Sequence, residues 1–532
     1  MKRISTQALL CMLICLTGGT AQALEKTNDV YQIASSQDLV DFATVVNNGE
    51  TTAMAAVSAD IDMKGVEWTG IKDYAATFDG GGHIISNLAG PLFQTTSDGV
   101  VIQNLTLAGS ITTGGTEAVG AFVGTHSTGV FTATNCTNRT KLVASGATNV
   151  GGMVGYLAPG AASHITQCKN ETEIIGMKSV GGLIGYYYYN NSSNPLYLTD
   201  CSNTGNITSA GDGAGGIVGV AYGRLESSGG FNTGNITSEE GNDAGGFFGG
   251  ATRYLKSIAQ FRNTGAITAN QAAGGIIGSN YNTSVTLYMY INNCYNEGEI
   301  TAREMYAGGI IGRARASSNY FYYTNDCNTG TISGSYSAGI AAESRRGEYT
   351  NCCNLGTIKT DGGGRALICG GTGATLKGCW NAGEMMLTDG VITGETLIES
   401  SGTVTMTNCY DLANIDMAPA HGRPVDYETD WLGNGHFAYF MNGNTVKDAV
   451  WFQTLGQDDY PVTDKTHGLV FPKGDGFGYA FDDITELKAA LFEEMRNYAE
   501  EVIAYQGAID SMLLSIADLD TIVNRDNFIN AY

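Results

Sequence analysis

The chain has little proline and few basic side chains. Its 532 residues include 7 prolines, 6 histidines and 28 lysines and arginines against 52 aspartates and glutamates, so the formal net charge is −24. Charged residues make up 15% of the chain, which is low for an ordinary globular protein. An acidic surface repels other anions, so we expect no nucleic-acid partner and no charge-driven binding to anionic membranes.

The motifs of common catalytic sites are also missing. The sequence has no His-Glu-x-x-His zinc motif, no phosphate-binding loop and no Cys-x-x-Cys pair, and its six histidines are scattered. No Gly-x-Ser-x-Gly nucleophile elbow occurs in a convincing context. We therefore predict no metal, no cofactor and no enzymatic activity.

No apolar run after the N-terminus reaches the 18 residues of a membrane span. Residues 1–23 have the pattern of a secretory signal, with basic residues at 2–3, an apolar core at 8–16 and Ala-Gln-Ala at 21–23. Lipid attachment at Cys15 is a less favoured alternative, because bulky residues precede that cysteine. The chain is predicted to be exported, to the cell surface or the medium.

The chain contains many copies of one sequence motif. In this motif a Cys or Phe precedes Asn-Thr-Gly, and Gly-Gly-x-x-Gly follows. The asparagines that mark the copies are Asn138, Asn170, Asn203, Asn232, Asn263, Asn296, Asn328, Asn354 and Asn381. The spacing averages about 30 residues, and such a period is the signature of stacked repeats. The units are rich in Gly, Thr, Ile and Val and lack a helical apolar stripe. We predict an all-β fold, a parallel β-solenoid with right-handed coils of about 30 residues.

Individual positions of the repeated motif have predicted structural roles. Gly215 and Gly216 are expected at a tight corner, with Ile217 pointing into the coil and the next residue pointing out. Stacked coils place equivalent residues about 4.8 Å apart, so the marker asparagines are predicted to form a ladder. The cysteines near the markers alternate with Phe in two copies, which indicates buried apolar positions. Disulfides between neighbouring coils are the alternative.

Two stretches resemble known families. Gly-Gly-Leu-Ile-Gly at 181–185, Gly-Gly-Ile-Val-Gly at 215–219 and Gly-Gly-Ile-Ile-Gly at 308–312 resemble the GLUG motif of bacterial surface proteins, which implies an extracellular, adhesin-like repeat protein. The same motif accompanies some immunoglobulin-A metallopeptidases without being their catalytic part. Phe-Asp-Gly-Gly-Gly-His-Ile-Ile at 78–85 resembles the first coils of pectin-lyase-like β-helices.

The second resemblance offers one catalytic hypothesis. Asp79 and His83 are either an acid–base pair or a corner turn with local hydrogen bonds, and we favour the turn. The alternative function is accordingly a polysaccharide lyase or glycoside hydrolase on a β-helix scaffold. No convergent group of acids with Lys, Arg or calcium ligands supports it.

Aromatic side chains cluster in the loops of the repeats and in a later module. Exposed tyrosines on neighbouring coils are amphipathic and rigid, which suits contacts with sugars or proteins. The alternative is ring stacking that protects the coil surface. The candidate binding residues are Tyr186, Tyr187, Tyr188, Tyr189, Tyr320, Phe321, Tyr322, Tyr323, Trp431 and Trp451.

The predicted organisation follows from these features. After the signal, residues 24–110 form an N-terminal cap with a short helix and the first coils, and residues 111–430 form the repeat solenoid. Residues 431–475 form a small aromatic module that caps the solenoid. Residues 481–532 carry an apolar seam spaced by three and four, which predicts a coiled coil that self-associates or a helix that folds back.

The sequence thus favours a non-enzymatic adhesin or scaffold that is exported to the surface. Its expected ligands are glycans or host proteins, and self-association through the C-terminal helix is a possible addition.

Overall fold

A computed structural model describes residues 24–189, 195–281, 288–315, 320–361, 363–371, 373–387, 397–400, 402–413, 428, 430–473 and 476–478. The predicted signal at 1–23 and the predicted helix at 481–532 lie outside the described residues. Strands account for 49% of the structure and helices for 5%, and the strands form a parallel β-solenoid of about nine turns. The predicted fold class is confirmed, while the right-handed sense of the coil stays a prediction. The chain divides into two compact units, Met1–Leu255 and Lys256–Tyr532.

Each coil of the first unit is built from short strands joined by corners. Ile174, Ile207 and Ile236 pair in register on three successive coils, and all three are buried. A single coil cannot cover its own apolar face, so stacking of identical positions creates the core. The strands of this unit are Lys26–Thr27, Val30–Ile33, Met54–Val57, Ile61–Asp62, Thr77–Asp79, Ile84–Ser86, Phe93–Thr96, Val100–Gln103, Thr106–Thr113, Val119–Gly120, Val123–His126, Phe131–Thr134, Thr137–Ala144, Val150–Gly151, Val154–Leu157, Ser163–Thr166, Lys169–Asn170, Ile174–Gly176, Val180–Gly181, Ile184–Tyr188, Leu196–Asn203, Ile207–Ser209, Ala214–Gly215, Val218–Asn232, Ile236–Ser238 and Asp243–Gly245, with Phe248–Ala259 crossing the unit boundary.

The second unit repeats this arrangement and adds a small module. Ile267, Ile300, Ile332 and Ile358 pair in register and are all buried. Its strands are Arg262–Asn263, Ile267–Ala269, Ala272–Gly274, Ile277–Asn280, Tyr288–Asn292, Tyr295–Asn296, Ile300–Ala302, Tyr306–Gly308, Ile311–Ala314, Tyr320–Thr324, Cys327–Asn328, Ile332–Ser333, Tyr336–Ala338, Ala341–Ser344, Gly347–Thr350, Cys353–Asn354, Ile358–Thr360, Ile368–Gly371, Ala374–Lys377, Trp380–Asn381, Met385–Leu387, Ile398–Ser400, Val404–Thr407, Tyr410–Asp411, Phe471–Lys473 and Gly476–Gly478.

A short helix, α1 (Ser36–Asn47), precedes the first full coils as predicted. Ser35 caps its N-terminus, because the Ser35 hydroxyl accepts a hydrogen bond from the backbone N–H of Asp38 at 3.2 Å. The helix buries Leu39 and Phe42 on one face. The Phe42 ring lies 6.1 Å from the ring of Phe78, which ties α1 to the first coils.

The glycine corner has a steric cause. A Cβ on Gly216 would collide with the carbonyl oxygen of Gly246 on the next coil and press on the Asn232 side chain, so only glycine fits. Ile217 points into the coil as predicted, but the prediction that the next residue points out is wrong. Val218 is also fully buried, because Ile217 occupies the bend and Val218 begins a new strand on the other side of the corner.

The predicted asparagine ladder is present in both units. In the first unit the amide of Asn170 donates to the side-chain oxygen of Asn203 at 2.7 Å, and Asn203 donates to Asn232 at the same distance. Each of these amides also donates to the backbone carbonyl two residues further on. In the second unit the ladder runs from Asn263 through the later markers, and its last step among the described residues is the carboxylate of Asp411. Because these side chains are buried, the ladder satisfies polar groups that water cannot reach.

Cysteines next to the marker asparagines fall into two classes. Those two residues before the marker face the interior as buried free thiols, namely Cys136, Cys168, Cys201, Cys294, Cys352 and Cys379, and Cys409 lies at the equivalent place before Asp411. Burial raises the pKa of the Cys201 thiol to about 12, so this thiol is not ionised at neutral pH. Cys327 and Cys353 stand one residue before their markers and form a disulfide between neighbouring coils. Both sequence-based alternatives therefore occur, each at its own position.

The aromatic module packs against the side of the coils in the second unit. It contains two short helices, α2 (Trp431–Asn434) and α3 (His436–Met441). Its apolar core is shared with coil residues that stand immediately before or after the ladder positions, namely Tyr295, Cys327, Cys353, Leu355, Trp380, Ala382, Tyr410 and Leu412. An end cap needs to contact only the last coil, whereas these contacts span five successive coils. Capping of the solenoid end stays a prediction.

Candidate functional site

The predicted tyrosine clusters form two rows of stacked rings. The first row, in the first unit, consists of Tyr156, Tyr186, Tyr188 and Tyr222. The rings of Tyr156 and Tyr186 are 5.9 Å apart and nearly parallel, and those of Tyr188 and Tyr222 are 5.2 Å apart. The row forms because these residues pair in register on neighbouring strands.

The second row, in the second unit, consists of Tyr288, Tyr290, Tyr320 and Tyr322. Tyr288 stacks on Tyr320 at 5.5 Å, and Tyr290 stacks on Tyr322 at 5.0 Å. The row carries positive charge at its borders, since Lys256 lies 4.7 Å above the Tyr290 ring. Partial exposure is greatest at Tyr288, of which 48% is accessible.

Stacking determines what the rows present to solvent. Neighbouring rings cover one another's faces, so the ring edges and hydroxyl groups form the accessible surface. Burial raises the pKa of Tyr186, so the phenol of this residue is neutral at neutral pH. The sequence-based alternative of ring stacking is thus present in the structure.

Three of the predicted binding residues in the loops point inward. Tyr187 is fully buried in the first unit, and Phe321 and Tyr323 are fully buried in the second, because successive side chains of a strand face opposite sides. The Tyr187 hydroxyl donates to the carbonyl oxygen of Arg224 at 2.9 Å. These side chains present no surface to a ligand. Tyr189 lies at the margin of the first row, with its hydroxyl 3.4 Å from the Gly160 carbonyl oxygen.

The two predicted tryptophans are also core residues. Trp431 is 8% exposed and Trp451 is 1% exposed, and both pack in the core shared by the module and the coils. Their faces are therefore closed to a stacked sugar. Accessible members of the predicted set are Tyr186, Tyr188, Tyr189, Tyr320 and Tyr322, and ligand binding by them stays a prediction.

Sequence reasoning missed Tyr156 and Tyr222 as members of the first row. Both are single tyrosines rather than clusters, so composition did not mark them. The signal that identifies them is the repeat register, since Tyr156 lies opposite Tyr186 and Tyr222 lies opposite Tyr188.

Asp79 and His83 do not form a pair. The Asp79 carboxylate accepts hydrogen bonds from the backbone N–H of Gly81 at 2.9 Å and from the Gln103 and Asn104 amides. Burial raises the pKa of Asp79, but these hydrogen bonds outweigh it and hold the pKa below its ordinary value. His83 instead contacts Asp60 at 3.2 Å. The favoured corner-turn interpretation describes these contacts.

Metal clusters and membrane-spanning helices are both absent from the described ranges. There, no group of three or more His, Cys, Asp or Glu side chains could hold a metal ion. No helix in the same part of the chain is long and apolar enough to cross a membrane.

Comparisons with known proteins give partial matches. A stretch of 180 residues is 29% identical to halomucin of Haloquadratum walsbyi; it is 32% of this chain and 2% of halomucin. A crystal structure from Bacteroides ovatus, provisionally named an immunoglobulin A1 protease, matches over 84% of this chain and 95% of its own, with 14% identity and a TM-score of 0.26. A TM-score this low supports no inference. No family model matches, so the resemblance to the GLUG repeats stays a prediction.

Proposed function

We propose that this protein is an exported surface repeat protein that acts as a non-enzymatic adhesin or scaffold, with the tyrosine rows as its contact surface. The observation that carries the proposal is the pair of stacked, partly exposed tyrosine rows on a regular solenoid. Export rests on the signal-like residues 1–23. The similarity to halomucin over 180 residues fits this proposal.

The rows have the properties of a pre-organised contact surface. Each ring is held by its stacked neighbour, so little side-chain entropy remains to be lost on binding. The exposed hydroxyl groups donate and accept hydrogen bonds, and glycans and polypeptides both offer partners for them. A solenoid repeats this surface at a fixed spacing, which suits elongated ligands.

A binding experiment tests the rows directly. The purified protein is applied to a glycan array and to immobilised extracellular host proteins. A variant with Tyr188→Ser, Tyr222→Ser, Tyr288→Ser and Tyr320→Ser is compared with a control variant, Met177→Ser and Met386→Ser. Both methionines are exposed and lie outside the rows. We expect the tyrosine variant to lose at least tenfold in affinity for the best ligand while the control binds normally.

Two results would overturn the proposal. Equal binding by the tyrosine variant and the wild type would remove the rows as the contact surface. Sustained release of reducing ends from a polysaccharide panel, with or without calcium, would place the protein among enzymes.

A further inference from the structure

A cavity of about 360 Å³ lies between the module and the coils of the second unit. Its coil side is formed by Tyr295, Asn325 and Asn351, and its module side by residues 457–464 with His467. The Tyr295 hydroxyl lies 3.1 Å from the Thr463 hydroxyl and links the two sides. The cavity is separate from the tyrosine rows and large enough for a side chain of a partner molecule.

The charge of the cavity is negative. Arg262 forms an ion pair with Glu297 at 2.6 Å, and these two charges largely offset each other. The Asp458 carboxylate contacts the His467 ring at 2.7 Å. Asp459 and Asp464 also line the cavity and carry further negative charge. Two hydrogen bonds from Thr466, one from its backbone N–H and one from its hydroxyl, hold Asp464 in place at 2.8 Å.

The side-chain amides of Asn325 and Asn351 on the coil side are already engaged as donors. The Asn351 amide donates to Asn325 at 3.1 Å, and the Asn325 amide donates to Asn293 at 3.0 Å. The Arg262 guanidinium is engaged by Glu297. The carboxylates of Asp459 and Asp464 add acceptors to the walls, so the cavity favours an occupant that is rich in donors.

Aromatic side chains complete the walls. Tyr295 and Tyr460 line the cavity from the coil side and the module side, respectively, and Trp451 is a third aromatic residue of its lining. Burial raises the pKa of both tyrosines, so their rings are neutral. A delocalised cation is attracted both to ring faces and to carboxylates, and a guanidinium is the side-chain group that satisfies both.

We propose that this cavity binds an arginine side chain presented by a segment of a partner polypeptide. The guanidinium has five N–H donors and no acceptor, which matches the surplus of acceptors in the walls. An amino sugar fits less well, because its hydroxyl groups also need donors that this cavity has already committed. The proposal does not depend on the tyrosine rows.

Binding is tested with the full chain and a blocked peptide, acetyl-Gly-Arg-Gly-amide, by isothermal titration calorimetry. The same peptide with citrulline has the same shape without the charge, and glucosamine serves as the amino-sugar probe. We expect the arginine peptide to bind at least about tenfold more tightly than the citrulline peptide, because charged hydrogen bonds are the stronger ones. Raising the salt concentration should weaken this binding.

Variants locate the site. Asp459→Asn and Asp464→Asn are each expected to weaken arginine-peptide binding at least about threefold, whereas Asp448→Asn, in an exposed part of the same module, leaves it unchanged. Melting curves show whether each variant is folded. The tyrosine-row variant described above should bind the peptide normally, so failure here and failure of the proposed function are distinguishable. The proposal is overturned by undetectable binding of the arginine peptide at millimolar concentration, by equal binding of the citrulline peptide, by tighter binding of glucosamine or by folded aspartate variants that bind normally.

Discussion

Buried ionisable side chains make the stability of this solenoid depend on pH. His126 is fully buried, with Nδ1 2.9 Å from the Thr96 hydroxyl, and among the described residues Nε2 has no hydrogen-bond partner. Burial lowers the pKa of His126 to about 4. The unfolded chain takes up this proton near pH 6.5 and the folded chain near pH 4, so stability is lost as the pH falls through that window.

Replacement of His126 should remove this loss. Leu157 occupies the paired position on the next coil, so leucine already fits at this position of the stacked coils and His126→Leu should be tolerated. We expect wild-type stability to fall by about 3 kcal/mol more than that of the variant between pH 6.5 and pH 4. Urea unfolding across this range measures the difference. The exposed His164 supplies the control, since His164→Gln should keep the wild-type slope. Parallel curves for wild type and His126→Leu would contradict the prediction.

Asp326 has the opposite pH dependence. It occupies the inward position where neighbouring coils have cysteine, it is fully buried, and its Oδ2 has no partner among the described side chains and backbone groups. Burial raises the pKa of Asp326 well above its ordinary range, although the backbone N–H of Cys294 donates to Oδ1 at 2.8 Å. The contribution of Asp326 to the free energy of unfolding is therefore fully present at pH values below about 4 and decreases as the pH rises.

Asp326→Asn keeps the shape and the acceptor for Cys294 but cannot ionise. We expect the variant to be more stable than the wild type by about 1–3 kcal/mol at pH 8, with a smaller difference at pH 4. Thermal melts at the two pH values test this. Asp200→Asn, at an exposed position of the strand Leu196–Asn203, should not change the pH dependence. The prediction would be refuted if the stability of the variant relative to the wild type were lower at pH 8 than at pH 4.

At the scale of the element, the asparagine ladder requires a donor and an acceptor at every internal position. Asn328 accepts from Asn296 and donates to Asn354, both at 2.7 Å. Asp411, at the last described step, accepts from Asn381 at 3.0 Å, and a carboxylate can fill that role. The same residue type thus has different consequences at internal and final positions.

Asn328→Asp is expected to destabilise the second unit by about 3 kcal/mol, because it removes a donor and buries a charge next to the Asn354 oxygen. Asp411→Asn keeps an acceptor for Asn381, and we expect a much smaller loss. Chemical denaturation of the two variants gives the comparison. Equal losses would show that the ladder contributes through packing rather than through hydrogen bonds.

The ladder also shows what the sequence could and could not predict. Its existence followed from the period, because parallel stacking brings each marker asparagine against the next one. The corner three residues before each marker was missed, although Asn135, Gln167, Asp200, Asn293 and Asn325 all adopt a left-handed backbone there. The signal was available, since Asn, Asp and Gly favour that conformation. Whether Val218 faces in or out depends on where the corner ends, and the apolar pattern cannot locate that point.

At the scale of the whole molecule, the placement of the module was not predictable from local patterns. Position minus one relative to the ladder is exposed at Lys169 and Phe231 in the first unit, but it is buried at Cys353 and Trp380 in the second. That change marks the coils on which the module packs. The tryptophans appeared to be sugar platforms because the sequence does not show which apolar surface covers them.

Trp380 is the centre of this contact. It is fully buried, and its ring lies 5.2 Å from Phe437 and 5.8 Å from Trp451, both in edge-to-face geometry. Trp380→Ala leaves a large cavity between module and coils and should cost about 3–5 kcal/mol. We expect this loss to weaken the packing of the module on the coils. The coils themselves should keep their stability, because the substitution leaves the asparagine ladder and the stacked isoleucines unchanged.

Limited proteolysis should therefore cleave the Trp380→Ala protein within residues 430–473 under conditions in which the wild type is intact. The far-UV circular dichroism of the coils should still melt near the wild-type temperature. Lys169→Ala changes the same outward position at an exposed site and should leave the module protected. Loss of the β-sheet signal together with cleavage would instead mean that the module and coils unfold as one cooperative unit, because burial of Trp380 would then stabilise both.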